Sequence, residues 1–111
     1  MNISKTPIRL IDLWQYNDDS NFPIIIASLK GKFKLDSVSA KVWEMINGQN
    51  TIEFIINEIA KVYNEVDKQL IHNDICDLIN KFSKDNLIIL NYDSLFPNIN
   101  YDILNLEFNN D

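Results

Sequence analysis

Apolar positions recur with two different periods along this chain, and the change from one to the other falls near Asp36. From Ile8 to Tyr16 apolar and polar residues mix in strand fashion, and Asn17-Asp18-Asp19-Ser20-Asn21 supplies a polar turn. Phe22-Pro23 leads into Ile24-Ile25-Ile26-Ala27-Ser28-Leu29, a β-branched run of strand length. Lys30-Gly31 then predicts a tight hairpin turn, with Gly31 free to take a positive φ. A short third strand over Lys32-Phe33-Lys34-Leu35 alternates cleanly, so that Phe33 and Leu35 face the core and both lysines face outward.

Beyond Asp36 the spacing is helical. Asp36 and Ser37 both suit a helix N-cap, followed by Val38, Val42, Trp43, Met45 and Ile46 on one side. Asn47-Gly48 ends that helix, glycine being at ease in the left-handed position past a helix end. Thr51 caps a second helix, with Glu53 in its first turn and Ile52, Ile55, Ile56, Ile59 and Tyr63 as its apolar stripe. A third helix is predicted from about Asp67 to Lys84, burying Ile71, Ile75, Leu78, Ile79 and Phe82. Asn86 ends it, and Leu87-Ile88-Ile89-Leu90 returns to extended structure. Three strands followed by three helices is an α+β order with segregated elements, not an alternating parallel sheet.

The 111 residues suit one core, placed over residues 1–90, with residues 91–111 as an acidic extension. A hydrophobic fraction of 46% argues against general disorder. No apolar run has the length of a bilayer span, and Met1 to Ile11 has no signal-peptide core, so a cytoplasmic setting without membrane contact is expected. The single cysteine, Cys76, agrees with that setting. The net charge of −6 is uneven: Asp93, Asp102, Glu107 and Asp111 stand in the last 21 residues without any lysine or arginine. Such a balance disfavours a partner gripped through phosphates.

Catalytic constellations are not apparent. His72 and Cys76 are four apart, a spacing compatible with a metal, but no second histidine or cysteine completes a closed site, and a surface pair is the expectation. Asp74 and Asp77 are three apart, routine on a solvated helix. Two glycines, Gly31 and Gly48, cannot build a phosphate loop. Neither an enzyme nor a cofactor is expected.

With the elements placed, the stretch from Gly31 to Leu90 resembles the PqqD-like family, whose fold is also called the RiPP recognition element. The resemblance rests on Leu35-Asp36 at the end of a short strand, then Ala40, Trp43, Gly48 and Thr51, and continues through the isoleucine-rich second helix to Ile75, Ile79, Phe82 and Leu87. The family usually has asparagine where Asp36 stands and glycine where Asn86 stands; both replacements keep a capping side chain or tolerate the left-handed conformation. The resemblance implies a winged-helix-like domain, three-stranded antiparallel sheet followed by three helices, that binds the leader of a ribosomally made precursor peptide. It implies a free-standing protein presenting that precursor to a maturation enzyme such as a radical-SAM enzyme, a cyclodehydratase or a leader protease. The guest is expected to join the sheet edge beside the third strand and pack against the third helix.

In residues, the expected site is Lys32, Phe33, Lys34 and Leu35 on the strand, with main-chain pairing from Phe33, Lys34 and Leu35. On the helix, about 100° per residue sets Leu78 at one margin of the core stripe, Asp74 and Lys81 farther round and Leu70 beyond them. The opposite flank holds His72, Cys76 and Ser83. Lys32 and Lys34 equally suit the protection of an edge strand from aggregation. In the tail, Leu104, Leu106 and Phe108 alternate with polar residues, much as a leader strand would. Two rival readings remain: a winged-helix DNA-binding domain, and an adaptor whose groove binds a partner enzyme. The first sits poorly with a third helix that sets Lys68, Lys81 and Lys84 against Asp67, Asp74, Asp77 and Asp85.

Overall fold

In the computed structural model, which describes residues 2–10 and 13–91, the strand expected over Ile8–Tyr16 is two strands in two sheets. Strand β1 (Ile8–Arg9) pairs antiparallel with β5 (Ile88–Ile89), far along the chain, and Leu10 donates its N–H to Leu87 O at 2.9 Å. Strand β2 (Trp14–Tyr16) instead pairs with β3 (Ile24–Ser28). Strand β4 (Gly31–Leu35) completes a three-stranded antiparallel sheet of order β2-β3-β4. The hairpin tip is also one residue earlier than the sequence suggested. Ser28 pairs with Gly31, so Leu29 and Lys30 form the connection and Leu29 is fully exposed. Gly31 takes φ +123°, the freedom for which glycine was expected there.

The helices are α1 (Ser37–Met45), α2 (Ile52–Val62) and α3 (Lys68–Lys84). Each begins on an acceptor side chain that satisfies an orphan amide of the first turn: Asp36 for Ser39, Thr51 for Phe54 and Asp67 for Gln69. The N-terminal arm adds to this at α2, where Ile52 and Glu53 donate to the carbonyls of Lys5 and Ile3. Asn86, at φ +60°, closes α3: its own N–H reaches Ser83 O at 3.0 Å, and the N–H of Leu87 reaches Phe82 O at 2.9 Å. Those two bonds form the Schellman arrangement, with asparagine in the place glycine usually takes.

The core lies between the inner face of the larger sheet and the three helices. Ile24, Ile26 and Leu35 from the sheet meet Trp43 of α1, Ile55 and Ile59 of α2, and Ile75, Ile79 and Phe82 of α3. Trp43 stands edge-on to Phe82 at 5.4 Å and to Trp14 at 6.4 Å. Cys76, expected on a surface flank, is buried against this core, and burial pushes its thiol above the usual range. Among the described residues no helix is long and apolar enough to cross a membrane. The fold is therefore α+β, three antiparallel strands followed by three helices, with the short β1–β5 ladder as an addition.

Candidate peptide-binding site

Which main-chain groups of β4 are free follows from the ladder beside it. Asn17 donates to Pro23 O and Ala27 donates to Leu13 O, both at 2.8 Å, so the odd-numbered residues of this stretch direct their amides and carbonyls at β2. The even-numbered residues Ile24, Ile26 and Ser28 then face β4, where their partners are Leu35, Phe33 and Gly31. Lys32 and Lys34 oppose Ala27 and Ile25 as non-hydrogen-bonded pairs, so their N–H and C=O groups point out of the sheet. This differs from the expectation that Phe33, Lys34 and Leu35 would all offer main-chain pairing. Only Lys34 of those three does, and Lys32 joins it, because the two-residue connection fixes the parity.

Among the described residues β4 is an outer strand of its sheet. Beside it runs a cleft of about 370 Å³, with Lys32, Phe33, Lys34 and Leu35 along one wall and Leu78, Lys81, Phe82 and Asp85 of α3 along the other. Phe22 and the start of α1, Asp36 and Ser39, complete the lining. The apolar floor comes from buried Leu35 and Phe82 and half-buried Phe33 and Leu78, all packed on the core. Lys34 holds its ammonium 5.8 Å from the centre of the Phe22 ring, within cation–π range. At the hairpin end, Lys30 Nζ donates to Lys84 O at 3.4 Å and links β4's turn to the last turn of α3. The charged lining comprises Lys32, Lys34 and Lys81 against Asp36 and Asp85. The Asp36 carboxylate is engaged with the Ser39 amide at 2.8 Å. Among the described residues the ion pairs comprise Lys61–Glu58 alone, away from the cleft.

Six of the eight sequence-predicted residues thus come together: Lys32, Phe33, Lys34, Leu35, Leu78 and Lys81. Leu70 and Asp74 do not line the cleft. They continue the same side of α3 toward its N-terminus, Leu70 lying about 12 Å along the axis from Leu78 and standing 52% exposed. Of the lining residues that sequence reasoning passed over, Phe82 was assigned wholly to the core and Asp36 to capping. Asp85 and Ser39 give no signal in the pattern. Phe22 was read as the approach to a strand, and nothing local announces that it lies beside Lys34.

Residues 24–88, more than half of the chain, match the sequence model of the family described as Coenzyme PQQ synthesis protein D (PqqD). The chain belongs to the PqqD family. The matched region of this PqqD-family chain runs from β3 to β5 and so contains both walls of the cleft. The fold is similar to the solution NMR structure of the PqqD truncation of Methylobacterium extorquens PqqCD, with a TM-score of 0.62 at 20% sequence identity, over 79% of this chain and 93% of that one. That protein is described as a functional and stand-alone recognition element for ribosomally synthesized and post-translationally modified peptides. A comparison with curated proteins gave no match.

Proposed function

We propose that this PqqD-family protein binds the leader of a ribosomally made precursor peptide along β4 and holds it for a separate modifying enzyme. The observation that carries this reading is the outward-pointing main chain of Lys32 and Lys34 beside an apolar cleft against α3. An extended guest adds as a further strand, taking two donors and two acceptors from those residues, each bond contributing about 1 kcal/mol net. Its inward side chains meet Phe33, Leu78 and Phe82, and each that is fully covered contributes roughly 1.5–3 kcal/mol. Ordering a flexible leader opposes this by about 2–5 kcal/mol, which leaves a modest net that allows both recruitment and release. The lysines of the rim favour a leader with acidic residues next to its apolar ones.

The enzyme is a radical-SAM enzyme, a cyclodehydratase or a leader protease, and the protein supplies recognition, not chemistry. The test is a calorimetric titration of the N-terminal half of a short precursor encoded beside this gene. Saturable one-to-one binding that shifts the amide resonances of Lys32 and Lys34 is expected. Absence of binding at about 1 mM peptide would overturn the proposal. The DNA-binding reading receives no support from α3, whose Lys68, Lys81 and Lys84 are matched by Asp74 and Asp77 within the helix and by Asp67 and Asp85 at its caps.

A further inference from the structure

The leader-like alternation of Leu104, Leu106 and Phe108 lies outside the described residues, whereas the sheet offers a second surface within them. The face of β2-β3-β4 turned away from the helices is built in rows that the pairing registers define. Gln15, Ile25 and Lys34 stand side by side in one row. In the next, Ala27 opposes Lys32 and lies beside Leu13, whose carbonyl accepts the Ala27 amide. Alternation turns Trp14, Ile24 and Ile26 to the core, so these six residues share the outer face. Leu13 is 68% exposed, and a shallow depression of about 320 Å³ is lined by Leu13, Trp14, Gln15, Ile25, Ala27 and Lys32. The two rows hold two lysines and no carboxylate, although the whole chain carries −6.

We propose that this outer face docks the modifying enzyme, through a surface on that enzyme with an apolar centre and an acidic margin. The idea rests on the reading of the protein as one that holds a leader for a separate enzyme. Continuity favours that occupant. Lys32 lines both this depression and the leader cleft, yet α3 and the outer face lie on opposite sides of the sheet, so both can be filled at once. A guest strand beside β4 sets its outward side chains in the same rows, next to Lys32 and Lys34. Charge separates the enzyme from a second copy. Two copies laid face to face bring lysines against lysines, whereas an acidic margin is attracted. Size points the same way. Three strands about 4.8 Å apart and two rows about 6.8 Å apart span roughly 200 Å². A stable complex buries about 800 Å² on each partner, so this face is too small for a lasting dimer. It suffices for an enzyme that also grips the same precursor beyond its leader. The precursor then tethers the two proteins at an effective concentration of order millimolar.

Methyl NMR of the full chain, titrated with the maturation enzyme encoded beside this gene and without any leader, tests the proposal. The methyl resonances of Leu13, Ile25 and Ala27 are expected to shift or broaden saturably, and less so as salt rises. Leu13 is exposed and lies outside the cleft. Leu13→Glu is therefore expected to weaken enzyme binding at least about tenfold and to leave leader affinity within about twofold. Phe54→Glu, at an exposed position of α2, is expected to leave both within about twofold. Equal enzyme binding by the natural chain and by Leu13→Glu overturns the proposal. So do shifts that appear on concentrating the protein alone and vanish in Leu13→Glu, which assign the face to a second copy. The precursor titration separates this result from the function. Leader binding with no response to the enzyme at Leu13, Ile25 and Ala27 ends the docking face and leaves leader recognition standing. Enzyme binding that Leu13→Glu abolishes, with no leader bound by either chain, ends leader recognition and leaves the docking face.

Discussion

Phe33 turns its amide and carbonyl toward Ile26, whereas Lys34, the next residue, turns both away from the sheet. A proline at each position therefore has opposite consequences. Lys34→Pro removes a donor that β3 never used, so the unfolding free energy is expected to change by less than about 1 kcal/mol. Leader binding is expected to fall at least about tenfold, since a main-chain bond is lost and the ring obstructs the incoming strand. Phe33→Pro removes a ladder bond and a core-packed ring together, and is expected to lower stability by about 3 kcal/mol or more. Urea unfolding and peptide titration on both variants check the contrast.

The two α3 leucines on the cleft's side make a second pair. Leu78 is half-buried in the cleft wall, and Leu70 lies beyond its end with half of its surface in water. Leu78→Glu is expected to weaken leader binding by about 10–100-fold, the loss of one covered apolar contact. Leu70→Glu is expected to leave it within about twofold. An equal loss from both would mean that the guest runs on along α3 past the cleft, bringing Asp74 into contact as well.

Much of this arrangement was legible in the sequence because it is local. The alternation of Lys32 to Leu35, the caps Asp36 and Thr51 and the isoleucine stripe of α2 each declare themselves within a few residues. What escaped depends on partners remote in the chain. The break between β1 and β2 exists because Ile8 and Arg9 pair with Ile89 and Ile88, and no local signal distinguishes that from a continuous strand. The parity of β4 turned on a one-residue shift in the position of the hairpin turn, enough to exchange free and bonded main-chain groups along the strand. The helical wheel placed Leu70, Asp74, Leu78 and Lys81 on one side of α3, but a wheel carries no position along the axis, and the cleft reaches only the last two.

Asn86 occupies the left-handed position that ends α3. Glycine adopts this conformation without a Cβ penalty, so Asn86→Gly is expected to stabilise the protein by about 0.5–1 kcal/mol. Asn86→Val is expected to destabilise it by about 1–2 kcal/mol, because a branched Cβ is poorly tolerated at φ +60°. Thermal unfolding of the two variants should move the midpoint in opposite directions.

Burial raises the Cys76 thiol above the ordinary value of 9.0, with the nearby Asp77 carboxylate acting in the same direction. A raised pKa means that the native state keeps its proton where the unfolded chain has lost it. This contribution to stability is complete below the unfolded thiol's pKa and declines as pH rises through the folded one. Alkylation by iodoacetamide at about pH 8 is expected to be slow in the native protein and rapid in urea. Cys76→Ala is expected to flatten the alkaline fall in stability.

Arg9 ties the small ladder to the larger sheet's support. Its guanidinium donates to Trp43 O at 2.8 Å and Glu44 O at 3.2 Å, carbonyls at the end of α1, where a cation also meets the negative end of the helix. The same group lies 5.3 Å from the centre of the Trp14 ring and 5.9 Å from that of Trp43. One planar cation thus fixes β1, β2 and α1 relative to one another. A lysine keeps the charge, and one nitrogen suffices for both carbonyls, as Arg9 Nη1 does here, but it lacks the flat guanidinium that stacks on the two rings. Arg9→Lys is therefore expected to cost about 1–2 kcal/mol and Arg9→Ala about 2–3 kcal/mol. The cleft lies at the other edge of the sheet, so leader affinity, measured well below the unfolding midpoint, is expected to stay within about twofold. Urea titrations with an unchanged slope and a lowered midpoint would support this division between scaffold and site, and a parallel loss of affinity would show that the β2 side of the sheet also governs how β4 is presented.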